Sequence, residues 1–318
     1  MKHLYESKKP THLPDFPSGL VWFNSEEKNF DDNRNITLID FWSYSCINSV
    51  RSIPFLKALY EKYNKFGLEI IGVHTPEFNF EKNIYNIKKE VERFEIPYPV
   101  VVDNNHRLWS IFNNVYLPSY YLYSAHQQLR FTHFGEDYYS RIEENIVKLL
   151  KESHYLTDSF DSGTTIFNPI ERTTAPEIYA GHNRISGLSC YERLNPNTSS
   201  KYTPLRHIET NKLGVEGVWT FYSDRVSLNS FQGKIVLPYK AESLNIITGA
   251  KMPVCAEIKL NGKSLSDCNR GSDINDEGHL IIKDYRLYNL VESDKLQHNT
   301  LEILFNSDDV DVFAFSFG

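Results

Sequence analysis

The sequence predicts two domains of different class: an α/β domain with a mixed central sheet, then an all-β sandwich of jelly-roll type. Three observations carry this reading. Residues 1–152 alternate short apolar runs with segments of helical period. Residues 177–318 hold many short strand patterns and turn signals with little helical period. Residues 153–176 are rich in Ser, Thr and Asp, show neither period and read as a linker. At 318 residues the chain also exceeds the roughly 250–300 at which single cores split.

Ile36 to Trp42 and Leu68 to Val73 read as buried strands. Between them Val50, Ile53, Leu56, Tyr60 and Tyr63 fall at helical spacing from Cys46 to Phe66, and Gly67 marks the stop. Phe80, Ile84, Ile87, Val91 and Phe94 write a second helix, Pro99 to Val102 a third strand, and Arg107 to Phe112 a short helix. Ser119 to Tyr123 and Leu129 to Phe134 are joined by a short polar connection, which implies an antiparallel hairpin. Ile142, Ile146 and Leu149 mark a closing helix, completing an α/β order with a mixed sheet. In the second half, strands are expected at 218–222, 234–237, 244–247, 254–260, 301–305 and 310–317, with Asn261-Gly262 as a hairpin turn.

Composition narrows the function classes. The 34 Lys and Arg against 41 Asp and Glu leave a net charge of −7, which disfavours a general binder of nucleic acid or anionic membrane. No stretch reaches the ~20 apolar residues of a membrane span. Met1 to Ser7 carries no apolar run after its basic residue, so the chain reads as cytoplasmic, or extracytoplasmic if a leader has been removed. Four cysteines do not make a disulfide scaffold. Cys255 and Cys268 lie close enough in sequence to pair, but in a reducing compartment they read as thiols.

Cys46 follows a strand and opens a helix, where unpaired N–H groups and the helix dipole favour thiolate. Position alone leaves two readings, an activated nucleophile and a buried, inert thiol. Asp40-Phe41-Trp42, Cys46-Ile47-Asn48-Ser49 and the following Pro54 resemble the thioredoxin-fold active site, and Leu117-Pro118 matches its cis-proline position. Phe41 to Asn48, Gly72-Val73-His74-Thr75-Pro76-Glu77-Phe78 and His133-Phe134-Gly135-Glu136 resemble the thioredoxin-like domain of TlpA/DipZ-type thiol–disulfide proteins. Tyr285 to Tyr288 and Phe313 to Gly318 resemble that family's C-terminal carbohydrate-binding-module-like sandwich.

The resemblance implies thiol–disulfide exchange without a cofactor, with Cys46 as nucleophile and a disulfide-containing protein or a low-molecular-weight thiol as partner. The family's second, resolving cysteine is Ser49 here. Serine cannot release a mixed disulfide as a second thiol does. Three readings stay open: a monothiol resolved by a small thiol, a redox-inactive binding module, and a serine substitution that traps mixed disulfides. Asp40 matches the family's buried proton relay. Leu117 and Pro118 should present the substrate. Trp42 and Tyr44 flank the thiol as an apolar collar or as core. His74 and Glu77, at a strand's carboxyl end, are candidates for acid–base chemistry or for a turn; as two ligands they make a weak metal site, and no metal is assigned.

Other motifs carry less. A peroxiredoxin active site needs Pro and Thr where the chain has Ile39 and Ser43, so peroxidase chemistry by that route is disfavoured, although the domain shares the outline of redoxin antioxidant proteins. Asp273 to Gly278 echoes a calcium loop, but strands flank it and a polar hairpin turn fits better. A glycan or protein ligand of the sandwich would need exposed aromatics, with Tyr179, Tyr191, Trp219 and Tyr239 as candidates.

Overall fold

Strands covered on both faces must be apolar at nearly every position, and Ile36–Trp42 and Leu68–His74 are. The structure, a computed structural model, describes residues 9–27, 35–157, 175–185 and 187–318, so most of the expected linker lies outside the described residues. The chain divides into two compact units, Met1–Pro169 and Ile170–Gly318.

In the first unit, β1 (Trp22–Phe23), β2 (Ile36–Trp42), β3 (Leu68–His74), β4 (Val100–Val102), β5 (Ser119–Tyr123) and β6 (Leu129–Phe134) form one sheet in the order β1-β4-β3-β2-β5-β6. β2, β3 and β4 are parallel, which requires crossovers, and α1 (Ile47–Tyr63) and α2 (Ile84–Arg93) supply them. β5 and β6 form the antiparallel hairpin, with β5 paired to β2. The short α3 (Arg107–Ile111) follows β4, and α4 (Tyr139–Glu152) closes the unit. Ile36, Leu38 and Trp42 of β2 pack with Ile53, Leu56 and Leu59 of α1 and Ile142, Ile146 and Leu149 of α4. The opposite residues, Ile39 and Phe41, join Ile71, Val73, Tyr121 and Phe112 in a second core.

Two local features differ from the expectation. β1 is only two residues long, too short to write a period, yet it pairs with Val100 and Val101 of β4. The helix expected from Phe80 begins at Ile84, because Asn79–Lys82 turns as a separate 3₁₀ helix. Asn83 then caps α2, its side-chain oxygen accepting from the Tyr85 N–H at 2.9 Å.

The second unit is all-β among its described residues: β7 (Ile178–Tyr179), β8 (Ser200–Tyr202), β9 (Gly214–Phe221), β10 (Val226–Leu228), β11 (Gly233–Ala241), β12 (Leu244–Ala250), β13 (Val254–Leu260), β14 (Lys263–Ser264), β15 (His279–Ile282), β16 (Arg286–Val291), β17 (Gln297–Phe305) and β18 (Val310–Phe317). They pair in the order β14-β13-β17-β11-β9-β10-β18-β12-β16, with β15 on β13, β7 on β18 and β8 on β9. β9 joins the two halves of this network. Its first residues pair with β11 and its last with β8 and β10. The change of partner falls at Gly217, whose φ of 116° suits glycine and where a Cβ would lie 2.9 Å from the Gln232 carbonyl oxygen. Ile235, Leu237, Ile303, Phe305, Val312 and Phe315 lie in the single core of this unit.

Asn261 and Gly262 both take positive φ, 55° and 74°, and close the two-residue β13–β14 hairpin. Asp273 to Gly278 is a polar turn in which the Asn275 side chain accepts from the Glu277 and His279 N–H groups. Of the aromatics considered for a glycan platform, Trp219 and Tyr239 are core residues, 0% and 1% exposed, and Tyr179 lies under the Arg184 guanidinium at 3.6 Å. Of the four only Tyr191 is exposed, at 62%. No described helix is long and apolar enough to cross a membrane.

Gly249 in β12 lies against the Tyr285 ring, and a Cβ there would overlap it. Gly249→Ala is therefore expected to lower the stability of the second unit by about 1–3 kcal/mol, the usual cost of overpacking. Urea unfolding of the full chain checks this; an unchanged unfolding curve would show that the contact relaxes freely.

Candidate active site

β2 ends at Trp42, the chain turns through Ser43, Tyr44 and Ser45, and Cys46 stands at the start of α1 with extended backbone (φ −81°, ψ 112°). Its carbonyl accepts the first helical bond, from the Val50 N–H at 2.9 Å. The thiol therefore sits at the positive end of a 17-residue helix dipole, where a thiolate is favoured. It is 6% exposed, and its Sγ lies 3.9 Å from the Leu117 carbonyl oxygen. The Leu117–Pro118 peptide is cis, and β5 begins at the next residue. Cys46, Leu117 and Pro118 are thus brought together from opposite ends of the unit.

Ser49 lies one turn along α1, fully buried, its Oγ accepting from the Ser43 N–H at 3.4 Å. It faces the turn that carries the thiol. Arg51 of α1 pairs with Glu136, beyond β6, at 3.1 Å and ties the helix start to the hairpin end.

Asp40 stands on the α1-facing side of β2, opposite Gly72 of β3 and Tyr120 of β5. It is 1% exposed and neither carboxyl oxygen meets a donor among the described residues. Burial pushes its carboxyl well above the ordinary range, because desolvation disfavours the charged form. The absence of a Cβ at Gly72 makes room beside it for the Trp42 indole. The His74 ring stacks on Tyr44 at 5.3 Å and meets the Trp42 ring edge-on at 5.2 Å. Burial lowers His74 to about 3, so the imidazole is neutral.

Trp42 and Tyr44, expected as a collar or as core, and His74, expected as an acid–base group or in a turn, are all core residues, 1%, 0% and 0% exposed. Their apolar contacts outweigh exposure because both faces of the strand ends are covered. Glu77 is exposed, and its part in the site is its backbone N–H. That N–H donates to Glu81, a residue the sequence reading passed over. Glu81 is fully buried and its carboxylate accepts four hydrogen bonds: from Ser43 Oγ at 2.5 Å, from Ser45 Oγ, from the Glu77 N–H, and from the Phe78 N–H at 3.1 Å. Burial raises its pKa while these donors pull it down. The only signal in the sequence was the pair of serines before the cysteine. Helical period across Phe80 and Ile84 turned Glu81 outward, and the 3₁₀ turn reverses that.

The buried imidazole makes a pH prediction. Below its ordinary value of 6.5, an unfolded chain takes up a proton at His74 that the folded chain, at about 3, does not. This part of the stability is complete above pH 6.5 and is lost as the pH falls toward 3. His74→Phe keeps the stacked ring and should flatten the loss in urea unfolding between pH 4 and 7. Asp40→Asn should act on the other side, because its raised value makes stability fall as the pH rises. Identical slopes in variant and parent would show that these groups are not buried in the folded chain.

The model described as "Thioredoxin like C-terminal domain" matches residues 175–318. Protein DipZ of Mycobacterium bovis is 29% identical over 315 residues, covering 96% of this chain and 42% of that protein. The chain thus spans about two fifths of the length of this relative. Thiol-disulfide oxidoreductase YkuV of Bacillus subtilis is 28% identical over 142 residues, 44% of this chain and 95% of that protein. The solution structure of a thioredoxin-like protein in the oxidized form shares 28% identity over 45% of this chain and 96% of its own, with a TM-score of 0.40. The first unit has a thioredoxin-like fold with a mixed sheet, and the chain is similar to Protein DipZ and to the thiol-disulfide oxidoreductase YkuV.

Proposed function

We propose that the first unit carries out thiol–disulfide exchange with a single thiol, Cys46. The observation that carries this reading is the thiol at the start of α1, 3.9 Å from the Leu117 carbonyl oxygen. A disulfide R–S–S–R′ meets the Cys46 thiolate, the S–S bond breaks as a Cys46–S–S–R bond forms, and R′S⁻ leaves. Ser49 has no thiol with which to displace R, so the mixed disulfide persists. A second, low-molecular-weight thiolate then attacks it, takes R as a new disulfide and returns Cys46 as thiolate. Leu117 and Pro118 border the docked disulfide. Asp40, enclosed beside α1, has no second thiol to deprotonate in this one-thiol cycle.

A second reading treats the chain as a redox-inactive module that binds a glycan or protein through a jelly-roll second unit. It draws on a groove of about 560 Å³ on that unit, bordered by Arg206, His207, Lys234, His298 and Thr300. The enclosed Trp219 and Tyr239 weaken its glycan version, since neither ring can stack on a sugar.

Two experiments separate the readings. Iodoacetamide at neutral pH is expected to label Cys46 ahead of Cys190, which burial pushes up to about 11, and ahead of the exposed Cys255 and Cys268. Peptide mapping that finds Cys255 or Cys268 labelled first would count against an activated Cys46. Ser49→Cys is expected to oxidise to an intramolecular disulfide with Cys46, read as a linked peptide pair. The 3.4 Å contact from the Ser43 N–H to Ser49 Oγ is as long as an N–H···S contact, so this tie survives the change to sulfur. A variant that stays a dithiol under oxidant would favour the binding reading.

A further inference from the structure

Cys46 owes its position to a turn of three residues, and every polar group of that turn's first residue is engaged. The Ser43 N–H donates to Ser49 Oγ at 3.4 Å, its carbonyl accepts from the Cys46 N–H at 3.3 Å, and its Oγ accepts from the Ser45 N–H at 3.3 Å. With an incoming N–H on its lone pair, the Ser43 hydroxyl is aligned to donate onward, and it does so to Glu81 at 2.5 Å. Ser45, the residue directly before the thiol, donates to the same Glu81 oxygen. The other oxygen takes the Glu77 and Phe78 N–H groups of the loop after β3. The Thr75 N–H adds a backbone tie to the Trp42 carbonyl at 2.9 Å.

A fully buried carboxylate is costly unless it is bonded, and bonds to a charged acceptor are the strong ones. Four donors converge on Glu81, two from each side of the cleft between the loops. The carboxylate thereby sets the distance between the β2–α1 turn, which holds the thiol, and the β3–α2 loop. Disulfide exchange needs that precision, because the attacking sulfur must approach along the S–S axis of a docked partner. Alkylation by a small reagent needs only access.

We propose that Glu81 is the positioning residue of Cys46, clasping the Ser43–Ser45 turn so that the thiol meets a disulfide docked at Leu117–Pro118. This rests on the exchange reading above. Two rates test it on the full chain: exchange with an unstructured peptide disulfide, and alkylation of Cys46 by iodoacetamide, with Cys255 and Cys268 as internal controls. In Glu81→Ala the ratio of exchange to alkylation is expected to fall by at least about tenfold, toward the roughly hundredfold loss that a 1 Å misplacement of a reacting group can cause. Glu81→Gln should hold the ratio within about threefold of the parent, because its amide oxygen can accept both loop N–H groups and its amide nitrogen can donate to both hydroxyls. A merely structural role would move both rates together and leave the ratio unchanged, and that result overturns the proposal. A Glu81→Gln ratio as low as that of Glu81→Ala also overturns it, since charge rather than position would then be at work. If Glu81→Ala does not fold, Ser45→Ala removes one donor on the thiol's side while leaving the bond from the Ser45 N–H to Ser43 Oγ in place, and its ratio is expected to fall in the same direction. A parent chain that alkylates at Cys46 but exchanges with no disulfide overturns the exchange reading itself. A parent that exchanges while the variants keep its ratio overturns only the role of Glu81.

Discussion

The coverage of β2 on both faces is the constraint on which the site depends. Ile36, Leu38 and Trp42 face one core, and Ile39 and Phe41 the other. A strand so enclosed cannot slip by one residue, because the shift would exchange its two sets of side chains. Trp42 is therefore fixed as the last paired residue, the turn must fall at Ser43 to Ser45, and Cys46 must begin α1. The same sheet pairs β2 with β5, so Ser119 stands beside Phe41 and brings Leu117 and Pro118 to the thiol. The chemistry is set by register before any polar contact is made.

Two carboxyl groups and an imidazole within this enclosure each meet the cost of burial differently. Glu81 is satisfied by four donors and serves as a strut between two loops. Asp40 lacks donors among the described residues and is pushed toward its neutral form. His74 is held neutral between the Trp42 and Tyr44 rings. The contrast separates a carboxylate used for geometry from groups that tolerate burial by giving up charge. Ser49 adds a neutral tie to the same turn, its hydroxyl accepting from the Ser43 N–H.

Much of the fold was legible because the first unit's strands and helices are periodic and their connections short. Cys46 at the helix start, the hairpin after Pro118 and the Asn261-Gly262 turn could all be read from local chemistry. Glu81 could not. Its apolar neighbours Phe80, Ile84 and Ile87 keep helical spacing across a break that only the Asn83 cap and the 3₁₀ turn reveal. For Trp42, Tyr44 and His74 both readings fit the sequence, because spacing does not tell an enclosed strand end from an open one. In the second unit the individual strands were visible, but the passage of β9 between two sets of partners at Gly217 is a long-range property.

The central claim is that Cys46 exchanges with disulfides and, lacking a resolving thiol, keeps what it captures. Its most direct test is intact-mass analysis and peptide mapping of the reduced full chain after brief reaction with an unstructured peptide disulfide, before and after added glutathione. The account predicts one peptide adduct, on Cys46, that persists until glutathione removes it. An adduct on Cys255 or Cys268 with Cys46 unmodified, or no adduct on any cysteine, would contradict it.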